Sequence, residues 1–154
     1  MANDGFENQR ITAATFLFEV DGVEIGRFTE VNGLEVEVDV QELEEGGENS
    51  FVHKLPGRMK WPNITLKRGI TQNDSLLSWL SKSSGEQFAA SGNKLSRSTA
   101  AITLLGPSAA RLRSWEFDGA FPVKWSGPTF AASSSDMAME ELEIAHHGFR
   151  AKDL

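Results

Sequence analysis

FLFEVDGVEIGRFTEVNGLEVEVDV, residues Phe16–Val40, is the stretch that decides the fold. Phe16, Phe18 and Val20 alternate with Leu17 and Glu19, a period of two that suits a strand with one buried face. Asp21-Gly22 comes next, a dipeptide that tolerates the positive φ of a tight hairpin turn. Val23, Ile25 and Phe28 supply a return strand, and Asn32-Gly33 is a second turn signal. Leu34, Val36, Val38 and Val40 then alternate with Glu35, Glu37, Asp39 and Gln41, the cleanest alternation in the chain. This pattern sends the four apolar residues to a core and the carboxylates to water, because a buried unpaired charge is costly.

The chain on either side reads in the same mode. Glu44–Asn49 (EEGGEN) is an acidic loop tip, and Phe51–Trp61 is extended chain with Pro56-Gly57 as a break inside it. Ile64 and Leu66, flanked by Thr65 and Lys67, form a strand that Gly69 ends. One helix is predicted. Thr71 caps it, Asp74 complements its positive end, and Leu76, Leu77 and Leu80 make an apolar stripe with Trp79. Residues 84–98 form a loop around Phe88. Ala101–Leu105 and Leu112–Phe117 read as strands joined through Gly106-Pro107, and Ala120–Trp125 as a further short strand. For Met137–Ala145, propensity supports a helix and the alternation Glu141, Leu142, Glu143, Ile144 supports a strand equally well. No internal repeat or linker divides the chain, so residues 1–154 make one mainly β domain with one helix.

The chain has no cysteine, so disulfide and thiolate chemistry are excluded. No apolar run approaches the ~18 residues of a membrane span. The polar, acidic Met1–Arg10 does not read as a secretory signal, and synthesis in a cytoplasm is the expectation. The net charge is −7, and it is unevenly spread. Residues 1–48 carry thirteen acidic residues against Arg10 and Arg27, residues 49–113 carry ten basic residues against Asp74 and Glu86, and residues 114–154 turn acidic again. Opposed charge blocks suit a chain that meets copies of itself head to tail, an arrangement that generates rings or filaments.

Catalytic and metal chemistry find no foothold. His146 and His147 are adjacent, so on a strand they point to opposite faces and do not share a metal. The carboxylates sit in rows rather than in a pair across a cleft, and no nucleophile elbow or phosphate-loop spacing occurs. No catalytic residue, cofactor or metal is assigned, and the chain is not read as an enzyme. The basic group Lys54, Arg58, Lys60, Lys67 and Arg68, beside Phe51 and Trp61, suits a nucleic-acid patch or a subunit interface; the overall acidity favours the interface.

From Phe16 to Trp79 the sequence resembles the inner-tube proteins of contractile injection systems: phage tail tubes, the tubes of extracellular phage-tail-like particles and, more distantly, the type VI secretion tube. The likeness rests on FLFEVDGVEIGRFTEVNGLEVEVDV, on the Glu45-Gly46-Gly47 tip, and most specifically on KLPGRMKWPNITLKRGIT, Lys54–Thr71, followed by Leu77-Ser78-Trp79. WEFDGAFPVKWSGPTF, Trp115–Phe130, and MEELEIAHHGF, Met139–Phe149, extend it over nearly the whole chain. The acidic run Glu42–Glu45 departs from the aromatic or hydroxyl residues of many relatives.

The resemblance implies a tail-tube-type β-barrel or sandwich with a flanking helix and a long extended hairpin. It turns the Met137–Ala145 segment from helix to strand. It implies a homo-hexameric ring, rings stacked into a tube with a central channel, and an injection particle or phage tail as the final location. Its implied partners are a contractile sheath protein, baseplate, spike and tube-terminator proteins, and an effector or DNA cargo in the channel. Glu44, Glu45, Gly46, Gly47, Lys54, Pro56, Gly57, Arg58 and Lys60 are the implied subunit-interface residues, and Glu35, Glu37 and Asp39 the channel-facing ones. The competing reading is a soluble adaptor or effector carrier of the same fold, working as a monomer or single ring.

Overall fold

The structure, a computed structural model, describes residues 15–44, 46–47, 50–72, 75–83, 97–128 and 138–152. The predicted Asp21-Gly22 turn joins β1 (Thr15–Val20) to β2 (Val23–Phe28), with φ of 50° and 80° at the two residues, as a primed hairpin turn requires. β1 pairs on its other side with β7 (Ser98–Leu105), and β7 pairs with β8 (Arg111–Ser126). β8 is one sixteen-residue strand, where the sequence suggested two. Its continuity has a cause: Gly119, at φ 60°, lets the backbone bend without breaking. The first half of β8 pairs with β7, and the second half pairs with β9 (Met139–Ala145). The segment of ambiguous propensity is thus a strand, with Leu142 and Ile144 buried, as the resemblance implied. β10 (Phe149–Lys152) continues along β8 beyond β9.

β9 pairs with β6 (Ile64–Gly69), and β6 pairs with β3 (Glu30–Asn32). Only Thr29 separates β2 from β3, so the two ends of the sheet are one stretch of chain and the sheet closes into a barrel. Thr29 makes the join: its backbone N–H and its hydroxyl both donate to the Lys67 carbonyl, at 2.9 and 3.2 Å. Inside lie Phe18, Phe28, Ile64, Leu66, Ile102, Phe117, Leu142 and Ile144. The helix α1 (Ser75–Ser83) packs on β2 and β8 and adds Leu76 and Trp79 to this core. It begins four residues after Thr71, the predicted cap; Asp74 and most of the predicted 84–98 loop lie outside the described residues. Leu77, predicted in the buried stripe, is exposed, because only one face of a nine-residue helix meets the barrel.

The closing seam carries a polar device. On β6, Ile64, Leu66 and Arg68 point inward in turn, so Arg68 takes a core position at the barrel's end. Its guanidinium lies over the Phe28 ring, 4.9 Å from the centroid, and pairs with Glu140 of β9. Trp125 donates from Nε1 to the other Glu140 oxygen at 3.4 Å. Gly26 of β2 leaves the space: a Cβ there meets Arg68 Nη1 at 2.1 Å. The guanidinium is held by Glu140 and cannot swing away freely. Gly26→Ala is expected to cost about 1–3 kcal/mol, the range for overpacking. Gly69→Ala, where an added Cβ meets nothing within 4 Å, is expected to stay within about 0.5 kcal/mol. Urea unfolding of the two variants checks both.

Candidate functional site

One element stands apart from the barrel. β4 (Glu37–Leu43) and β5 (His53–Lys60) pair only with each other. Their hairpin leaves the barrel after β3 and returns before β6. At its root the Gly33 backbone presses on the Asn63 carbonyl, with room for no side chain. Asn63 itself is tied to β9, donating from its amide to Glu143 at 2.9 Å.

Pro56-Gly57 was predicted to break this arm; instead β5 runs through it. Val38 pairs with Met59 and Val40 with Pro56, so Gly57 and Arg58 together oppose Asp39. That is a β-bulge, a place where a strand tolerates proline and a residue without a side chain. Gly57 packs against the Asp39 carbonyl, its virtual Cβ 3.0 Å away.

The register sorts the side chains, because directly opposed residues share a face. One face carries Val38, Val40, Pro56 and Met59, with Glu42 opposite Lys54 towards the tip. The other carries Glu37 opposite Lys60, Asp39, Gln41 opposite Leu55, and Leu43 opposite His53. Lys60 Nζ and Asp39 Oδ1 are 2.8 Å apart, and that hydrogen bond, with the charge of Asp39, raises the Lys60 pKa above its ordinary value.

The sequence-predicted core row is corrected here. Val36, Val38 and Val40 are exposed, Val40 by 57%, and only Leu34 packs against the core. The alternation is real, but β4 pairs with β5 in a sheet of its own, apart from the strands that enclose the core, so its valines do not reach that core. Glu35 and Glu37 are exposed and Asp39 is half-buried. Of the predicted interface residues, Glu44, Gly46, Gly47, Lys54, Pro56, Arg58 and Lys60 are exposed and Gly57 is half-buried; Glu45 lies outside the described residues. All of the described ones fall on this hairpin or its tip. Sequence reasoning missed the apolar residues beside them: Leu43, Phe51, Val52, Leu55 and Met59 are exposed along with the valines. The available signal was an apolar row on β4 facing a second one on β5 within the same projecting arm.

So much apolar surface on a two-stranded arm is unusual, since such a hairpin alone is marginal in water. Each side chain moved from water into a neighbour's surface contributes on the order of 1 kcal/mol. Among the described residues no helix is long and apolar enough to cross a membrane, and no group of three His, Asp or Glu side chains gathers to hold a metal.

Comparison with known proteins gives this arrangement a context. The sequence profile of the T4-like virus tail tube protein gp19 matches residues 12–150. A chain of the extracellular contractile injection system PVC sheath–tube complex, in its extended state, superposes with a TM-score of 0.73 at 26% identity, covering 90% of this chain and 88% of that one. A chain of the PVC sheath/tube terminator in the extended state gives 0.71 at 26%, with 90% and 93% covered. A chain of the anti-feeding prophage tube-terminating cap shares the fold, with a TM-score of 0.72 at 23% identity and 90% and 88% covered. No curated protein sequence matches.

If the hairpin valines are outside the core, a charge there leaves folding intact. Val38→Asp is expected to shift the unfolding free energy of the single chain by no more than about 0.5 kcal/mol. Phe28→Ala, inside the barrel, is expected to cost about 3–5 kcal/mol. Urea denaturation of both variants separates the two environments.

Proposed function

This chain belongs to the T4-like virus tail tube protein family and is a structural tube protein of a contractile injection system; from that we propose that its copies close into hexameric rings, that the rings stack, and that the channel along their axis carries cargo. The observation that carries the reading is the β4–β5 hairpin, whose two strands pair with each other and which carries exposed apolar side chains outside the barrel core. Such an arm finds its missing packing on a neighbouring copy.

The charge layout supports a head-to-tail arrangement. β4 and the turns before it are acidic, and β5 brings Lys54, Arg58 and Lys60. Within the hairpin Asp39 and Lys60 close an ion pair. Glu44, Glu45, Gly46 and Gly47 at the tip, with Lys54, Pro56, Gly57, Arg58 and Lys60 on the return arm, form the proposed interface. Glu35, Glu37 and Asp39 are the proposed channel residues. In this arrangement the Val38–Met59 face seats on the neighbour, and Glu37 and Asp39 on the opposite face turn to water, with Lys60, paired to Asp39, at the margin between channel and interface. A carboxylate-lined bore resists adsorption of anionic cargo, and salt screens repulsion among the carboxylates over about 8 Å.

The same reading makes the chain a passive conduit. It needs contacts that form on a template and survive thrust, which apolar seating reinforced by charge pairs supplies. A sheath around the tube and baseplate and terminator proteins at its ends are the proposed partners. They parallel the sheath–tube and terminator complexes of the similar structures.

Electron microscopy of the purified chain with and without its baseplate tests the proposal. Stacked sixfold rings are expected. Val40→Asp, on the apolar face, is expected to leave a folded chain that forms no tube, whereas Glu37→Gln still stacks. A wild-type chain that stays monomeric under templated conditions contradicts the reading and favours the soluble adaptor.

A further inference from the structure

The root of the hairpin is fastened by a buried histidine. Trp61 and Pro62 lead from β5 into β6, and His146 sits between β9 and β10. The His146 ring is 7% exposed and meets Trp61, Phe117 and Phe149 at centroid distances of 6.1, 5.2 and 6.1 Å. Both of its nitrogens are engaged. Nε2 lies 3.0 Å from the Pro62 carbonyl, and the Gly148 N–H donates to Nδ1 at 3.0 Å. This pattern specifies one neutral tautomer: Nε2 carries the hydrogen and Nδ1 is bare.

Its surroundings reinforce that state. Gly148 adopts φ 128°, and a Cβ there meets the Trp61 indole at 3.1 Å, so glycine, histidine and tryptophan fit as one unit. The backbone closes round them, with Asp118 N–H donating to Gly148 and His147 N–H to Asp118. Charged groups on the neighbouring elements are occupied elsewhere. On β8 and β10, Arg150 pairs with Glu116 and Asp118, and Lys152 with Glu116. Arg97, before β7, meets the exposed ring of His147. On β6 and β9, Asn63 holds Glu143, and Lys67 pairs with Glu141. On the His146 loop the remaining titratable group is His147, whose charge opposes a second positive charge beside it.

We propose that His146 is an acid-sensitive clasp on the turn between β9 and β10: a proton added at Nδ1 meets the Gly148 N–H, two donors face one another, and the turn opens at Gly148 while Nε2–H keeps its bond to the Pro62 carbonyl. No covalent change is involved; one proton is taken from water and one hydrogen bond is lost. Burial lowers the His146 pKa below the ordinary 6.5, against the hydrogen bond to Pro62. The sign follows. An unfolded or released ring takes its proton near the ordinary value, while the clasped ring resists it. The clasp is therefore at full strength above about pH 6.5 and weakens as pH falls toward the lower folded value. The device belongs to the single chain and does not depend on ring formation.

Amide exchange measured by NMR on the isolated chain at pH 7.5 and 5.0, corrected for intrinsic rates, tests it. The Gly148 amide is expected to lose about tenfold in protection relative to Leu66 in the barrel as the pH falls. His146→Gln, which can donate and accept but does not titrate, is expected to change by less than about twofold over the same range. Unchanged wild-type protection, or an equal loss in His146→Gln, overturns the proposal. If that variant does not fold, the wild-type imidazole nitrogen spectrum decides. A His146 ring that is neutral at pH 7.5 with hydrogen on Nε2 and gains its proton in step with the loss of Gly148 protection upholds the clasp, and a ring that stays neutral at pH 5.0, or carries its hydrogen on Nδ1 at pH 7.5, refutes it.

Discussion

The closure of the barrel across Thr29 is the constraint from which the rest follows. β2 becomes β3 without a loop, and two bonds to the Lys67 carbonyl pin the crossing. Closure brings the two end strands of the sheet, β2 and β3, into one stretch of chain and fixes how much interior there is. Arg68, folded over Gly26 and Phe28 and answered by Glu140, completes that interior at one end. A buried ion pair of this kind adds little net stability over an apolar substitute, but it is costly to break singly. Its placement on the seam holds β2, β6 and β9 in one register.

A closed and filled barrel has a consequence for every residue outside it. The chain between β3 and β6 must project, because both attachment points lie on the same seam. The hairpin satisfies its own backbone and not its own apolar side chains. Among the described residues the conspicuous exposed apolar surface lies on this arm. That geometry suits a subunit whose work is contact, in keeping with a tail tube family member.

Much of this was legible in the residues. Asp21-Gly22 located the first hairpin, and the Ile64–Leu66 alternation found the inner face of β6, because turn chemistry and strand period are local properties. The hairpin was legible as a polar tip between extended arms. Three features were not. Val36, Val38 and Val40 share a face, but nothing in a period of two says whether that face meets a core or a second molecule. Gly119 bends a strand rather than ending it, since its neighbours on both sides find partners on different strands. Gly26 reads as a neutral interruption until Arg68, forty-two positions on, lies across it. In each case the deciding partner is distant in sequence. The helix-or-strand balance of Met139–Ala145 has the same root: its propensity is local, and pairing with β6 and β8 overrides it.

The central claim is that the hairpin acquires its burial from a neighbouring copy. Deuterium uptake by mass spectrometry, compared between the single chain and the assembled particle, tests it most directly. The account predicts fast uptake over Glu37–Leu43 and His53–Lys60 in the single chain, strong protection of both in the assembly, and little change in β1, β7 and the first half of β8. Equal uptake by the hairpin in the two states contradicts it.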